Sequence, residues 1–271
     1  MNLLHQPFDS IEDVVRGLTA FEEQCLGRRD LRGVFTTAYL EITLAIATHR
    51  ERDGFADADW VGRYLVRFAN LFREALLAYE EGRRGEVPKS WRIAFDAARD
   101  REGLIIQHLT LGINAHINYD LALALDEIGI DPGRPVRYAD HTLVNDVLAG
   151  ATDSMKHLVA SKYAPILKRL DRLAGSVDDD LTNFSIPRAR EHAWTMAVAL
   201  AAAPSEMERR LILTALDEQA AVLARLILAS PTRHPAFRRV VESGRRVDSV
   251  LRSIGSLPVF RRLRRRSRPG D

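Results

Sequence analysis

Two histidines and an aspartate that could act in metal or acid–base chemistry lie on one predicted helix, residues 103–128. His108, His116 and Asp120 are separated by multiples of four residues, so they lie along one side of an α-helix. His116 and Asp120 are one turn apart and can direct an imidazole nitrogen and a carboxylate oxygen at one divalent metal ion. His108 lies about 12 Å away along the helix axis, where we expect it to act as a catalytic acid, base or substrate donor.

This predicted helix is unusually apolar, which makes its ionisable groups conspicuous. Residues 103–125 carry one formal charge, at Asp120, in a chain of which 28% of the residues are charged. The helix is therefore predicted to be buried on most sides. Buried imidazole and carboxylate groups must be satisfied by hydrogen bonds, an ion partner or a metal. His116 and Asp120 could equally be a buried pair that holds neighbouring helices together.

A second polar edge of the same helix carries amide side chains. Asn114 and Asn118 lie one turn apart, and Tyr119 follows them. We predict that these three side chains bind substrate. Asparagines at such positions also act as hydrogen-bond clamps between helices, and that interpretation stays open.

Another predicted helix, residues 138–160, supplies candidate partners. His141 or Asp146 is predicted to complete a metal site with His116 and Asp120. Asn145, on the same ridge as His141, is predicted to bind substrate. The sequence thus predicts a His/Asp site between the 103–128 and 138–160 helices, with zinc or manganese as the candidate ion.

Helical periodicity dominates the whole chain. Apolar residues recur at three- and four-residue steps, and runs of alternating β-branched residues are missing. The predicted fold is all-α, a single compact bundle of about ten helices. Residues 1–255 are predicted to form one domain and residues 256–271 an Arg-rich, disordered tail. The predicted helices cover residues 9–25, 30–51, 57–82, 88–100, 103–128, 138–160, 162–174, 187–203, 205–229 and 235–253.

Positive charge is concentrated near the end of the chain. The formal net charge is +2 for all residues, whereas residues 245–271 contain nine arginines and two aspartates. Such a segment could attract nucleic acid or an anionic membrane surface. No aromatic residue interleaves the arginines between positions 261 and 268, so a solvated, frayed terminus is the expected alternative.

Several function classes lack their motifs in this sequence. It contains no Gly-rich phosphate loop, G-x-S-x-G, H-E-x-x-H or C-x-x-C, so nucleotide hydrolysis, serine hydrolysis and zincin proteolysis are not supported. The polar groups of residues 103–125 argue against a membrane span. Cys25 is the single cysteine and is expected in the core. The first residues lack a signal-peptide pattern, so a cytoplasmic location is expected.

Three stretches resemble a bacterial family of all-helical proteins known only as a domain of unknown function. The central stretch, H-x3-G-x-N-A-H-I-N-x-D-L, runs from His108 to Leu121. The other two are residues 31–39 and 189–194, and the resemblance covers most of residues 8–230. It implies a helical fold and no established reaction.

The spacing of His116 and Asp120 is also remotely similar to the helical cores of zinc-dependent phospholipase C and single-strand nucleases. Those cores use a histidine followed four residues later by an acid. This likeness implies zinc ligation by the same two residues here.

These patterns together predict a metal-dependent, hydrolase-like enzyme, in which the ion polarises a carbonyl or phosphoryl oxygen or activates water. The alternative is a metal-free small-ligand-binding or scaffold protein with a buried polar network. A small-molecule ligand or substrate is the expected partner in both cases.

Overall fold

The computed structural model describes residues 2–52, 54–163 and 185–229. All regular elements in these ranges are helices, so the predicted all-α class is confirmed. After a short helical turn at Asn2–His5, eight longer helices follow. They are α1 (Ile11–Arg28), α2 (Arg32–Glu51), α3 (Ala58–Glu80), α4 (Lys89–Asp100), α5 (Ile105–Ala115, His116–Asp120 and Leu121–Ile128), α6 (Arg134–Tyr163), α7 (Ile186–Ala201) and α8 (Glu206–Ala229).

The described residues contain eight long helices, whereas the sequence predicted about ten along the whole chain. The predicted helix at 235–253 lies outside the described residues, and the one at 162–174 overlaps them only at 162–163. Helix α6 begins at Arg134 rather than at 138, with Pro135 in its first turn. Proline is tolerated there because the first N–H groups of a helix have no partner within the helix.

Local sequence signals account for several helix starts. The hydroxyl of Ser10 accepts a hydrogen bond from the backbone N–H of Asp13 at the start of α1. A carboxylate oxygen of Asp57 accepts from the N–H of Trp60 at the start of α3. Ser185 caps α7 in the same way. Each cap satisfies a backbone donor that the helix itself leaves without a partner.

Helix α5 contains the main departure from the predicted geometry. Its segment His116–Asp120 is π-helical, and the backbone N–H of Leu121 bonds to the carbonyl of His116. The sequence predicted an uninterrupted α-helix here. The hydrogen bonds of a π-helix span five residues instead of four, so the side chains before and after this segment lie in a different rotational register.

Helix α5 occupies the centre of the described bundle. It packs against α2, α3, α4 and α7. Four of its leucines are almost completely covered, as the low charge of residues 103–125 predicted: Leu109, Leu111, Leu121 and Leu125. Polar side chains of α5 are therefore taken out of water together with this apolar surface.

The described residues up to Ile227 form one compact unit. The predicted Arg-rich tail, residues 256–271, lies outside the described residues. Among the described residues no helix is both long and apolar enough to cross a membrane.

Candidate functional site

His116 and Asp120 contact each other at the centre of the molecule. Nδ1 of His116 lies 2.9 Å from Oδ2 of Asp120. The indole Nε1–H of Trp91, on α4, donates to the same carboxylate oxygen at 2.8 Å. All three side chains are buried. We call these three residues, together with Tyr39, the His116 centre.

Aromatic rings enclose the imidazole. The ring of Phe68 stacks on it, with centroids 3.5 Å apart and planes 10° apart. Tyr39 meets the imidazole edge-on at a centroid distance of 4.5 Å. Phe35 and Phe72 complete the enclosure at 5.5 and 6.3 Å. Water is thereby kept away from the faces of the imidazole, and its polar atoms depend on neighbours within the protein.

Burial pushes the two ionisable groups of this centre towards their uncharged forms. The pKa of Asp120 is raised well above its usual value by burial, although the Trp91 hydrogen bond acts in the opposite direction. The pKa of His116 is lowered well below its usual value, also by burial.

Two polar atoms of the centre have no hydrogen-bond partner among the described residues. They are Nε2 of His116 and the hydroxyl oxygen of Tyr39, and both are inaccessible to solvent. A buried donor or acceptor without a partner costs about 1–3 kcal/mol. The centre therefore contains two positions at which a small guest could gain hydrogen bonds.

His108 lies on the same helix but apart from this centre. It is buried, and neither ring nitrogen has a hydrogen-bond partner in the described residues. Burial lowers its pKa to about 4, against a smaller opposing effect of the Asp30 carboxylate. The described contacts include no hydrogen bond or ring contact between His108 and His116. Its predicted role as a catalytic acid or base remains a prediction.

His141 belongs to a second polar cluster, built around Arg190 of α7. The guanidinium of Arg190 donates to the backbone oxygen of His141 at 2.6 Å and to the side-chain oxygen of Asn145 at 2.8 Å. A third bond, 3.3 Å long, reaches the hydroxyl of Tyr64 on α3. The pKa of His141 is lowered well below its usual value, first by burial and then by the charge of Arg190. His141 and Asn145 thus lie together, as predicted, but around an arginine.

The four predicted metal ligands do not form one group in the structure. His116 contacts Asp120, His141 lies beside Arg190, and the side chain of Asp146 is exposed. In the described ranges, no three His, Cys, Asp or Glu side chains are placed to hold one metal ion.

The predicted substrate-binding amides of α5 bind the protein itself. The amide of Asn114 donates to the backbone oxygen of Ala220 on α8 at 2.8 Å, and the amide of Asn118 donates to Asn114 at 2.9 Å. Tyr119 is half-buried against the core. The two asparagines therefore connect α5 to α8, which is the clamp alternative left open by the sequence.

Sequence analysis missed Trp91 and Tyr39 as members of the centre and Phe68 as the ring that stacks on it. They lie on three different helices, so no spacing along the chain connects them to His116. The one available signal was chemical, because a buried indole N–H needs an acceptor. That need does not identify which acceptor is used.

Comparison with models of protein families gives a match over most of the chain. Residues 11–230 match the model of a family of unknown function, DUF5995. The searches of curated proteins and of solved structures give no match.

Proposed function

The chain belongs to the family of unknown function DUF5995, and we propose that it is a metal-free, helical protein that binds a small ligand. The observation that carries this proposal is the pair of buried, unpartnered atoms at the His116 centre, Nε2 of His116 and the hydroxyl of Tyr39. Most polar atoms in protein interiors have partners. Two exceptions on adjoining rings favour a site for a guest.

The internal bonds of the centre support a metal-free role. Oδ2 of Asp120 already accepts from Trp91 and contacts Nδ1 of His116. These contacts hold the imidazole in one orientation without any ion. A catalytic zinc site usually has three protein ligands, and the described residues offer no such group around His116.

The surroundings define the kind of guest. Phe68 covers a face of the imidazole, whereas a hydrogen bond to Nε2 forms in the plane of the ring, so the stacked ring leaves that direction open. A charged guest would lose its hydration among aromatic rings at large cost. The proposed ligand is therefore small, uncharged and polar.

Replacing Tyr39 by phenylalanine tests the ligand-binding proposal. If a guest bonds to this hydroxyl, native mass spectrometry of gently purified wild-type protein shows an added small mass that Tyr39→Phe reduces. The variant also unfolds about 1 kcal/mol more easily, the usual net contribution of a hydrogen bond. Tyr138→Phe, which removes an exposed hydroxyl, is the control. Higher stability of Tyr39→Phe, with no added mass on the wild type, would overturn the proposal.

A metal-dependent, hydrolase-like enzyme is the second candidate function. The arrangement of Asp120 on Nδ1, with Nε2 left over, is the one in which a carboxylate orients a metal-binding histidine. A π-helical turn at the same residues also favours a functional site. Zinc or manganese at Nε2 would lower the pKa of bound water to about 7, and His108 would act as acid or base.

Metal analysis separates the two candidates. Stoichiometric zinc or manganese in protein prepared without chelator, with a melting temperature that rises on metal addition only when His116 is intact, would favour the enzyme. A melting temperature that metal addition does not change, in the wild type or in His116→Ala, favours metal-free binding. We propose a cytoplasmic location for either function, supported by the free, buried thiol of Cys25.

The arginines near the end of the chain suggest an additional anionic partner, nucleic acid or a membrane surface. The measurement is salt-dependent association with DNA and with anionic liposomes before and after truncation beyond Val259. Loss of binding on truncation supports the role of residues 260–271, and unchanged binding contradicts it.

A further inference from the structure

A cleft of about 480 Å³ lies on the molecule where α1, α3 and α4 end. None of its lining residues belongs to the His116 centre. Its volume is within the range of small-molecule sites. The lining includes six arginines: Arg28, Arg29, Arg32, Arg84, Arg99 and Arg101.

The cleft keeps an excess of positive charge after its ion pairs are counted. Arg32 binds the carboxylates of Asp30 and Glu80. Arg99 and Arg84 both reach Asp96, and Arg99 also binds Asp100. The lining itself contains six guanidinium groups and two carboxylates, those of Asp30 and Glu80, and Arg28 and Arg29 take no part in the pairs above.

Arg28 and Arg29 account for much of this excess. Both are exposed, and neither side chain has an ion pair or hydrogen bond within the described part of the chain. Guanidinium groups without a carboxylate, beside others held in fixed positions, are available to a ligand. Their side chains are able to turn towards an anion without breaking a contact.

Two of these arginines occupy backbone positions at which glycine or asparagine is usual. Arg29 and Arg101 have φ angles of 55° and 54°, at the residues that follow α1 and α4. Glycine or asparagine is usual there because other residues cost roughly 1–2 kcal/mol in this conformation. A positive charge is favourable near the C-terminus of a helix. That preference does not explain why, in both helices, the arginine occupies the one position with a positive φ angle.

Hydrogen bonds fix the far wall of the cleft. The hydroxyl of Tyr79 donates to Asp96 at 2.8 Å and accepts from Arg99 at 3.0 Å. The guanidinium of Arg84 lies 6.0 Å from the centre of the Tyr79 ring. Two arginines are thereby held against an aromatic side chain, which is a rigid surface for a planar or anionic group.

From this arrangement we propose that the cleft binds a cluster of phosphate groups carried by a small molecule. Guanidinium forks match phosphate oxygens with two parallel hydrogen bonds, and several forks in one cleft fit a ligand with two or more phosphates. The positive charges of Arg28 and Arg29, which have no ion pair among the described residues, attract such a polyanion. The inference is independent of the ligand proposed for the His116 centre, because the two sites share no residue.

Binding of inorganic tripolyphosphate, measured by isothermal titration calorimetry at low salt on the full chain, tests the proposal. The variant R28Q/R29Q removes the two unpaired arginines. The control R52Q/R188Q removes the same charge from two exposed arginines outside the cleft. We expect the Kd to rise at least tenfold in R28Q/R29Q and less than threefold in the control. R84Q, which alters the opposite wall, is expected to weaken binding as well.

A second measurement distinguishes a soluble ligand from a lipid headgroup. Flotation with vesicles containing phosphatidylinositol bisphosphate is compared with the tripolyphosphate titration for the same variants. Weakening confined to the cleft variants in either measurement supports the proposal and identifies the source of the phosphates. Absence of binding in both, or equal weakening by R28Q/R29Q and R52Q/R188Q, would overturn it. A change in the melting temperature with Tyr39→Phe has no bearing on this result.

Discussion

Asp120 forms one buried hydrogen-bonded group with His116 and Trp91. One carboxylate oxygen meets both the imidazole and the indole N–H of Trp91, and all three groups are out of contact with water. In such surroundings, removal of one partner leaves the others without hydrogen bonds. Single substitutions therefore test the polar network most directly.

Asp120→Ala is expected to destabilise the protein strongly. It leaves the indole N–H of Trp91 without an acceptor and Nδ1 of His116 without its partner. We expect a loss of about 3 kcal/mol in the free energy of unfolding, measured by urea denaturation. Asp146→Ala, at an exposed position, should change it by less than about 0.5 kcal/mol. Similar losses in both variants would contradict the buried network.

His108 is expected to make stability depend on pH. Burial lowers its pKa to about 4, from 6.5 in an exposed histidine. Between these values the unfolded chain binds the proton more readily, so stability falls as pH decreases from about 6.5 towards 4 and is retained above that window. The loss amounts to roughly 3 kcal/mol. His108→Leu should flatten this part of the profile of unfolding free energy against pH, and an unchanged slope would contradict the prediction.

Helix α5 combines a π-helical turn with a close contact to helix α2. Gly112 lies one turn before His116, and a Cβ atom at this position would collide with the ring of Phe35 on α2. The close approach of α2 places Phe35 and Tyr39 against the imidazole. The absence of a side chain at residue 112 is thus part of how the centre is assembled.

Gly112→Ala is predicted to be destabilising in spite of the higher helix propensity of alanine. The displaced Phe35 ring should cost about 1–3 kcal/mol. Gly150→Ala in α6 is the matched control, because no neighbouring atom lies within 4 Å of its Cβ position. It should stabilise by up to about 1 kcal/mol. Thermal and urea unfolding of both variants give the comparison. A stabilised Gly112→Ala would contradict the close approach of Phe35 on α2 to Gly112 on α5.

Arg190 connects helices that are distant in sequence. It is buried on α7 and bonds to Tyr64 of α3 and to His141 and Asn145 of α6. None of these partners is a carboxylate, and the described residues provide no ion pair for it. Three separate nitrogens of the guanidinium each reach a different acceptor, whereas the single nitrogen of a lysine would have to lie within hydrogen-bond distance of all three.

Arg190→Lys is therefore expected to lower stability although it keeps the charge. Loss of the fork leaves buried acceptors without donors, and we expect a cost of about 2–4 kcal/mol. Arg188→Lys, exposed on the same helix, should be neutral within about 0.5 kcal/mol. Chemical denaturation measures both. Equal stability of the two variants would mean that the Arg190 hydrogen bonds do not hold α3, α6 and α7 together.

The sequence alone predicted what depends on neighbours within one or two turns. The helical class, the burial of residues 103–125 and the contact of His116 with Asp120 follow from the 3.6-residue period and from four-residue spacing. The caps at Ser10 and Asp57 are equally local. These features need only the backbone hydrogen bonds of a helix and the polarity of its faces.

Tertiary packing decided which helix faces meet. It placed Trp91 and Tyr39 beside His116, and Arg190 beside His141, where the sequence had predicted a common metal site. It also assembled six arginines, from positions 28 to 101, into one cleft. Such pairings depend on how the side chains of several helices fill the space between them, and helix spacing carries no information about that fit.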